Sequence, residues 1–148
     1  MRPLRNVNTR VSFTYSDTDE IGTAEAEIEA GGRTFTIYNV HPDGHADAMM
    51  SFARSLVERT AGKANVIALG DYNTRESDEA WPLLDAALTE AWASVYPSRV
   101  GPDGQDMKRR IDHIFVSRDL AVRNPTYVLP PQSATDHPMH WAEVTWKE

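Results

Sequence analysis

The spacing of apolar and polar residues changes along the chain, and its first part has the period of β-strands. Residues 11–16, 23–30 and 33–41 alternate in polarity or are rich in β-branched and aromatic residues, which predicts three strands. Gly31 and Gly32 separate the second and third runs, and a glycine pair at this place indicates a two-residue hairpin turn. We therefore expect an antiparallel ribbon here.

The pattern then takes a helical period over residues 46–60. Apolar residues recur there at steps of three and four, and Gly62 follows as a stop signal. A second helix is predicted at about 78–89, with Ser77 or Asp78 as its cap and a proline in its first turn. Its inward-facing residues are predicted to be Trp81, Leu84 and Leu88.

A short run over residues 65–69 is apolar on both alternations, which predicts a central strand covered on both faces. This strand ends at Gly70 and Asp71, so Asp71 is expected at its carboxyl end. A surface loop is predicted over 97–110. Further strands are predicted at 111–117, about 121–129 and 139–146. The fold class that follows is α/β (α+β), a mixed, largely antiparallel β-sheet packed with helices in one domain over 1–148.

Composition restricts the chemistry that these elements can carry. The chain has no cysteine, which excludes disulfides, zinc–thiolate sites and thiol nucleophiles. Its net charge of -7 argues against tight non-specific binding of nucleic acid, because that affinity depends on many Lys and Arg contacts to phosphates. The basic triplet 108–110 is interpreted either as a contact to a substrate phosphate or as a solvated loop.

The hydropathy of the chain also bears on its location. No stretch approaches the roughly 20 apolar residues that a membrane-spanning helix needs, so we expect no membrane insertion. The first ten residues lack the apolar core of a secretory signal. A cytoplasmic location is the resulting expectation.

Polar residues gather at four predicted strand ends, where sites in α/β proteins assemble. The four segments are Asn39-Val40-His41, Gly70-Asp71-Tyr72-Asn73, Ile111-Asp112-His113 and Asp136-His137-Pro138. Asp112 projects toward an apolar layer, and a buried carboxylate requires a partner, for which His137 is our candidate. Such a pair fixes the tautomer of the imidazole and raises its basicity, which suits a general base or a phosphate ligand.

The remaining polar residues suggest a hard cation and a phosphate. Asp136 and Asp71 are candidate oxygen ligands, and a sparse set of this kind suits Mg²⁺ better than zinc, with Mn²⁺ or Ca²⁺ as alternatives. Asn73 is a candidate donor to a phosphoryl oxygen. We place Asn39, His41 and Arg75 with it as candidate phosphate-binding residues.

Each segment also has a simpler structural interpretation. Gly-Asp-x-Asn after a strand is typical of a turn whose side chains cap backbone groups. Asp112 could pair with a neighbouring arginine, and His137 could face solvent in a loop. The run from His41 to His45, followed by Asp47, could form a small metal-binding loop of its own.

The ordered set of four motifs resembles the C-terminal motifs of the endonuclease/exonuclease/phosphatase (DNase I-like) superfamily. The match extends over nearly the whole chain from about residue 33, through Asn-Val-His, Gly-Asp-Tyr-Asn, Ile-Asp-His-Ile-Phe-Val-Ser and Thr-Asp-His-Pro. The resemblance implies part of a four-layer α/β/β/α sandwich. It also implies metal-dependent hydrolysis of phosphate esters, in substrates such as nucleic acids, nucleotides or lipid headgroups.

The resemblance gives each polar residue a role. His41 would bind or protonate the scissile phosphate, while Asp71 and Asn73 would position the attacking water and the phosphoryl oxygens. Asp112 would orient His137 as general base or phosphate ligand. Asp136 would help to bind the metal.

Two departures from the family pattern stand out. Tyr72 occupies a position where phenylalanine or leucine is frequent. The first half of the family fold, with its metal-binding glutamate, has no counterpart, and a lone half would leave one sheet face uncovered. We therefore expect a homo-oligomer or pairing with a separate N-terminal half. The alternative function is a catalytically inactive family member that acts as a binding or interaction module.

Overall fold

The computed structural model describes residues 5–14, 22–104, 110–128 and 135–148. Eight strands in this part of the chain form two sheets, one with the strand order β1-β2-β3-β4-β6-β5 and one made of β7 and β8. The strands are β1 (Arg5–Thr14), β2 (Gly22–Ala30), β3 (Arg33–Val40), β4 (Val66–Asp71), β5 (Thr89–Glu90), β6 (Asp112–Val116), β7 (Leu120–Val128) and β8 (Met139–Trp146). The helices are α1 (Ala46–Thr60), α2 (Trp81–Ala87) and α3 (Ala91–Val95), with a 3-10 turn at Pro102–Gly104.

The predicted hairpin between β2 and β3 is confirmed. Ala30 pairs with Arg33, which leaves the two glycines as the whole turn. Gly31 has a φ of 59° and Gly32 a φ of 79°, a left-handed conformation that glycine adopts without steric cost. The first predicted strand is also present as β1, although residues 15 and 16 lie outside the described part of the chain.

The first helix has the predicted bounds, whereas the second is shorter than predicted. The helix expected at 78–89 spans Trp81–Ala87 and has Ala80 at its N-cap position. Asp78 does not cap it, because its carboxylate accepts from the backbone N–H of Arg75 at 2.7 Å in the preceding turn. Leu88 is extended and ends the helix, and the chain continues into β5 and α3, which the periodicity did not predict.

The central strand β4 lies between a parallel β3 and an antiparallel β6. One face of this sheet is sealed by helices, and Tyr38, Ala68 and Phe115 are fully buried on it. The opposite face is covered only in part by β7 and β8, so Ile67 and Ile114 remain partly buried. The expectation that the central strand is covered on both faces is therefore wrong for one of them.

The last three strands agree with the predicted ranges to within a residue wherever the structure describes them. β6 starts one residue later than expected, and β7 starts one residue earlier. β8 has the predicted bounds. The predicted loop at 97–110 contains the 3-10 turn, and its residues 105–109 lie outside the described part. None of the helices in the described ranges is long and apolar enough to cross a membrane. The predicted fold class is confirmed: a mixed, mainly antiparallel sheet packs with helices.

Candidate active site

The pairing of β4 with β6 brings two carboxylates together at one end of the main sheet. Because the strands are antiparallel, the carboxyl end of β4 lies against the start of β6, and Asp71 is the direct cross-strand partner of Asp112. Like charges directly opposite each other destabilise a sheet unless a cation compensates them. This edge therefore favours a positively charged or proton-donating partner.

His137 is that partner. Its Nδ1 lies 2.9 Å and 3.1 Å from the two carboxylate oxygens of Asp112. An ionised carboxylate only accepts hydrogen bonds, so Nδ1 carries the proton and donates it, and Nε2 is the nitrogen that can accept in the neutral ring. The hydrogen bond and the charge of Asp112 raise the pKa of His137 above its ordinary value, with smaller contributions from Asp71 and Asp136.

Asp71 lies between two histidines. Its Oδ2 is 3.6 Å from Nε2 of His41 and 3.9 Å from Nδ1 of His137. Its other oxygen, Oδ1, accepts from the backbone N–H of Asn73 at 2.8 Å, which fixes the orientation of the carboxylate. Two histidines and two carboxylates thus converge on one edge of the sheet.

The turn after β4 depends on Gly70 and on Asn73. Gly70 has a φ of 139°, and a Cβ at this position would lie 2.2 Å from the carbonyl oxygen of Val40. Asn73 is left-handed, with a φ of 48°, and its Nδ2 donates to the carbonyl of Pro42 at 2.8 Å. The predicted phosphate donor is therefore also the link between the turn and the segment that carries His41.

The other predicted site residues are more exposed to solvent. The side chain of His41 is 74% exposed, and Asn39, Arg75 and Asp136 are also exposed. Among the described residues, the group whose ligand atoms lie within 4.8 Å of one another is Asp71, Asp112 and His137. Asp136 is not in that group, so its role as a metal ligand stays a prediction.

The alternative metal-binding loop between His41 and His45 has a local structure instead. The backbone N–H of His45 donates to Oδ1 of Asp43 at 3.1 Å, and its ring lies 3.7 Å from the same carboxylate. Within the described ranges, the loop forms no group of three metal-binding side chains. Its contacts are those of an exposed turn.

The sequence analysis did not identify the residues that support the backbone of Asp112. The hydroxyl of Tyr127 donates to the backbone carbonyl of Asp112 at 2.8 Å. The Arg110 guanidinium lies 4.0 Å from the centre of the Tyr127 ring, and His140 stacks on that ring at 4.0 Å. Arg110 is thus engaged with an aromatic ring, whereas residues 108 and 109 of the basic triplet lie outside the described part.

The oxygen donors at this edge fit a hard divalent cation. Each carboxylate has about four lone-pair sites, so the hydrogen bonds from Asn73 and His137 leave acceptor capacity on Asp71 and Asp112. Magnesium is typically held by one or two protein carboxylates, with water and phosphate completing its octahedron. The ring of His137 is held by Asp112 through Nδ1, which makes it an acid–base group more than a ligand at that nitrogen.

The fold and this site together define a class of protein: a mixed α+β scaffold with an Asp–His pair and a second carboxylate at one sheet edge. A family model described as "Endonuclease/Exonuclease/phosphatase family" matches residues 4–137. The chain belongs to this family. A comparison with curated protein sequences finds no match.

Solved structures of the same fold come from several sources. An endonuclease/exonuclease/phosphatase from Bacteroides vulgatus is 16% identical with a TM-score of 0.76, covering 97% of this chain and 67% of its own. A functionally unknown conserved protein from Enterococcus faecalis V583 is 15% identical with a TM-score of 0.73, covering 97% and 68%. A 3' phosphatase from Neisseria, solved with a product DNA hairpin, is 16% identical with a TM-score of 0.67, covering 96% and 72%. This chain therefore spans about two thirds of the length of these neighbours.

Proposed function

We propose that this chain carries the acid–base half of the active site of a divalent-metal-dependent hydrolase of phosphate esters, with phosphodiesters as the favoured class. The observation that supports this proposal is the contact of His137 with Asp112 at 2.9 Å, beside Asp71 and His41. An imidazole oriented by one carboxylate, with a second carboxylate near it, is the arrangement that activates water next to a phosphate.

In this proposal each group has a defined task. Asp112 holds His137 through Nδ1, so that Nε2 is the nitrogen that takes a proton from water or contacts the phosphate. Asp71 orients the attacking water, and its carboxylate is fixed by the N–H of Asn73. His41 and Asn73 bind the phosphoryl oxygens, with Asn39 and Arg75 as further contacts.

Asp71 and Asp136 are the proposed ligands of a divalent cation, with Asp112 close enough to Asp71 to share it. Mg²⁺ is our preferred ion and Mn²⁺ or Ca²⁺ the alternatives, because the donors are carboxylate oxygens. A bound cation would neutralise charge on the phosphoryl oxygens during the reaction.

The substrate is proposed at the level of its chemistry, a phosphate ester in a nucleic acid, a nucleotide or a lipid headgroup. The family membership and the neighbours support this class: one is named a 3' phosphatase bound to a DNA hairpin, and another is a Danio rerio TDP2 solved with single-stranded DNA product. The net charge of -7 favours a small phosphate-bearing ligand over long nucleic acid held by surface charge. A cytoplasmic location remains our prediction.

The decisive experiment is hydrolysis of bis-p-nitrophenyl phosphate with Mg²⁺ and with EDTA. We expect metal-dependent turnover that falls about 100-fold or more in His137→Ala and in Asp71→Ala, the usual size for loss of a general base. His45→Ala is the matched control, because His45 is an exposed histidine outside the proposed site. Equal rates in the His137→Ala variant and the parent protein would refute the proposed base.

A different outcome would favour the second function. If the folded protein shows no turnover with any of the three ions, yet binds p-nitrophenyl phosphate and loses that binding in Asn73→Ala, the chain is a binding module. Isothermal titration calorimetry measures the binding directly. This alternative draws on the same edge of the sheet, where Asn73 and His41 offer phosphate contacts that do not require a metal.

We also propose that this chain associates with a second copy or with a separate N-terminal half. An apolar surface patch supports this proposal: Val128 is 41% exposed, Met139 59% and Trp141 41%. Val128 pairs with Met139 across β7 and β8, and Thr126 pairs with Trp141, so the three apolar side chains share the outer face of this two-stranded sheet. Contiguous exposed apolar surface of this kind commonly marks an interface.

Light scattering with and without Met139→Lys tests the self-association. We expect a dimer at micromolar concentration that becomes a monomer in the variant, with stability changed by less than about 0.5 kcal/mol, as for most surface substitutions. A monodisperse monomer for the parent protein would exclude the homo-oligomer. Restoration of turnover by an added N-terminal half from a longer relative would then support the other form of pairing.

A further inference from the structure

A buried pair of ionisable residues lies behind the candidate site and has no place in the chemistry described above. His113 follows Asp112 on β6 but points to the opposite, helix-covered face, where it is 2% exposed. Glu90, the last residue of β5, is 1% exposed, and its Oε1 lies 3.6 Å from Nδ1 of His113. Burying two such groups is costly, and apolar residues of the same size would fill this space without that cost.

The hydrogen bonds of His113 lead to the turn that carries Asp71. Its Nε2 lies 3.0 Å from the backbone carbonyl of Thr74, and because a carbonyl only accepts, Nε2 carries the proton. Thr74 is 1% exposed and follows Asn73 directly. His113 therefore fixes the end of the turn at which Asp71 and Asn73 are oriented.

Glu90 holds the other side of the ring. Its Oε2 accepts from the backbone N–H of Ala93 at 2.6 Å, which caps the start of α3 and fixes the carboxylate. Its Oε1 and Nδ1 of His113 make no hydrogen bond among the described residues and face each other at 3.6 Å. Glu90 therefore borders the Nδ1 side of the ring, and the carbonyl of Thr74 lies at its Nε2 side.

Three aromatic rings pack around His113. The ring centroid of Trp81 lies 4.9 Å from that of His113, that of Tyr72 5.8 Å and that of Phe115 6.0 Å. Close packing among these rings limits rotation of the imidazole, whose Nε2 is directed at the carbonyl of Thr74. The contact is therefore built into the core.

We propose that His113, held by Glu90, is a positioning residue that fixes the turn from Asp71 to Thr74 for catalysis. At the other end of this turn, Oδ1 of Asp71 accepts from the N–H of Asn73. Without the anchor at Thr74, the left-handed Asn73 and the Asp71 carboxylate lose their fixed orientation toward His41 and His137. The kinetic part of this inference rests on the proposed hydrolase function, whereas the structural part does not.

Two substitutions separate the hydrogen bond from simple packing. His113→Phe keeps an aromatic ring but removes the donor to Thr74, and His113→Gln keeps an N–H donor near the position of Nε2. Phe115→Leu is the matched control, because Phe115 packs in the same aromatic cluster on the next inward position of β6 and makes no contact through a polar atom. His113→Leu replaces His113→Phe if the latter does not fold.

The readout that does not require activity is amide hydrogen exchange at Asn73, measured by NMR. We expect exchange to be about tenfold faster in His113→Phe, the size of one lost buried hydrogen bond, and within about threefold of the parent in His113→Gln and Phe115→Leu. If the chain hydrolyses phosphate esters, kcat should fall about tenfold in His113→Phe with KM unchanged and recover in His113→Gln.

The outcomes separate this inference from the proposed function. An inactive chain with the expected exchange pattern would contradict the hydrolase proposal and leave the positioning role supported. Unchanged exchange at Asn73 in folded His113→Phe would overturn the positioning role. An equal increase in Phe115→Leu would overturn it as well, because the effect would then come from core packing alone.

Discussion

The two faces of the main sheet differ in how completely they are covered. On the helix-covered face, Tyr38, Ala68 and Phe115 are fully buried beneath α1 and α2. On the other face, Ile67 and Ile114 are only partly buried against β7 and β8. The same three strands thus contribute to a closed core on one side and to a partly covered one on the other, where Val116 is buried but Ile67 and Ile114 are not.

The candidate active-site residues follow this division. Asp71 and Asp112 project from the open face, at the sheet end where the cover stops, while His113 projects from the closed face directly beside them. A rigid core on one side can therefore hold groups that must stay accessible on the other. The closed face stabilises the fold, and the open face carries the candidate active-site groups.

Truncation of one side chain on each face should give the largest contrast. We expect Phe115→Ala to lower the free energy of unfolding by about 3–5 kcal/mol, because it opens a cavity among aromatic rings that cannot collapse. Ile67→Ala should cost about 1–2 kcal/mol, because its site is already partly open. Urea unfolding followed by circular dichroism measures both. Equal losses would mean that the open face is as closely packed as the other.

The turn around Gly70, at the end of β4, should be almost as sensitive to substitution. Gly70→Ala places a Cβ against the carbonyl of Val40 in a backbone conformation that side chains rarely adopt, so we expect a loss of about 3 kcal/mol in the free energy of unfolding. Gly62→Ala is the control, because its φ of 70° is also positive but a Cβ there meets nothing within 4 Å. Its expected cost is about 1 kcal/mol. A mild Gly70→Ala variant would show that the turn can shift.

Features that a local pattern or a motif encodes can be predicted from the sequence, whereas features set by tertiary contacts cannot. The ribbon hairpin and α1 depend on local periodicity and on glycines, and the sequence alone predicts them. The contact between Asp112 and His137 spans 25 residues, yet the strand-end motifs identified both partners. Neither a period nor a motif marks Glu90, whose two-residue strand and five-residue helix are set by tertiary contacts.

The second predicted helix shows the opposite case. A local capping signal was present there, but a hydrogen bond in the preceding turn outweighed it. Asp78 is a residue type that commonly caps helices, but its carboxylate accepts a hydrogen bond from the backbone N–H of Arg75 in the preceding turn. Strand alternation puts residues 112 and 113 on opposite faces of the sheet, and this was the one sequence signal that could have identified His113 as a buried residue. Its partner at Glu90 required the fold.

The smallest expected effect is a change in the pKa of His137. This pKa reports on the contact between Asp112 and His137 without any substrate. The pair raises the pKa of His137 above 6.5, so the folded state binds this proton more tightly than the unfolded chain. The resulting stabilisation is present below the pKa of the unfolded histidine and is lost as the pH rises through the folded value.

In metal-free protein followed by NMR, Asp112→Asn should lower the pKa of His137, whereas Asp85→Asn, an exposed change on α2, should not. An unchanged titration in Asp112→Asn would mean that the pair does not form in solution. A lowered pKa would mean that Asp112 holds the imidazole of His137 on the open face, as Thr74 and Glu90 hold that of His113 on the closed face.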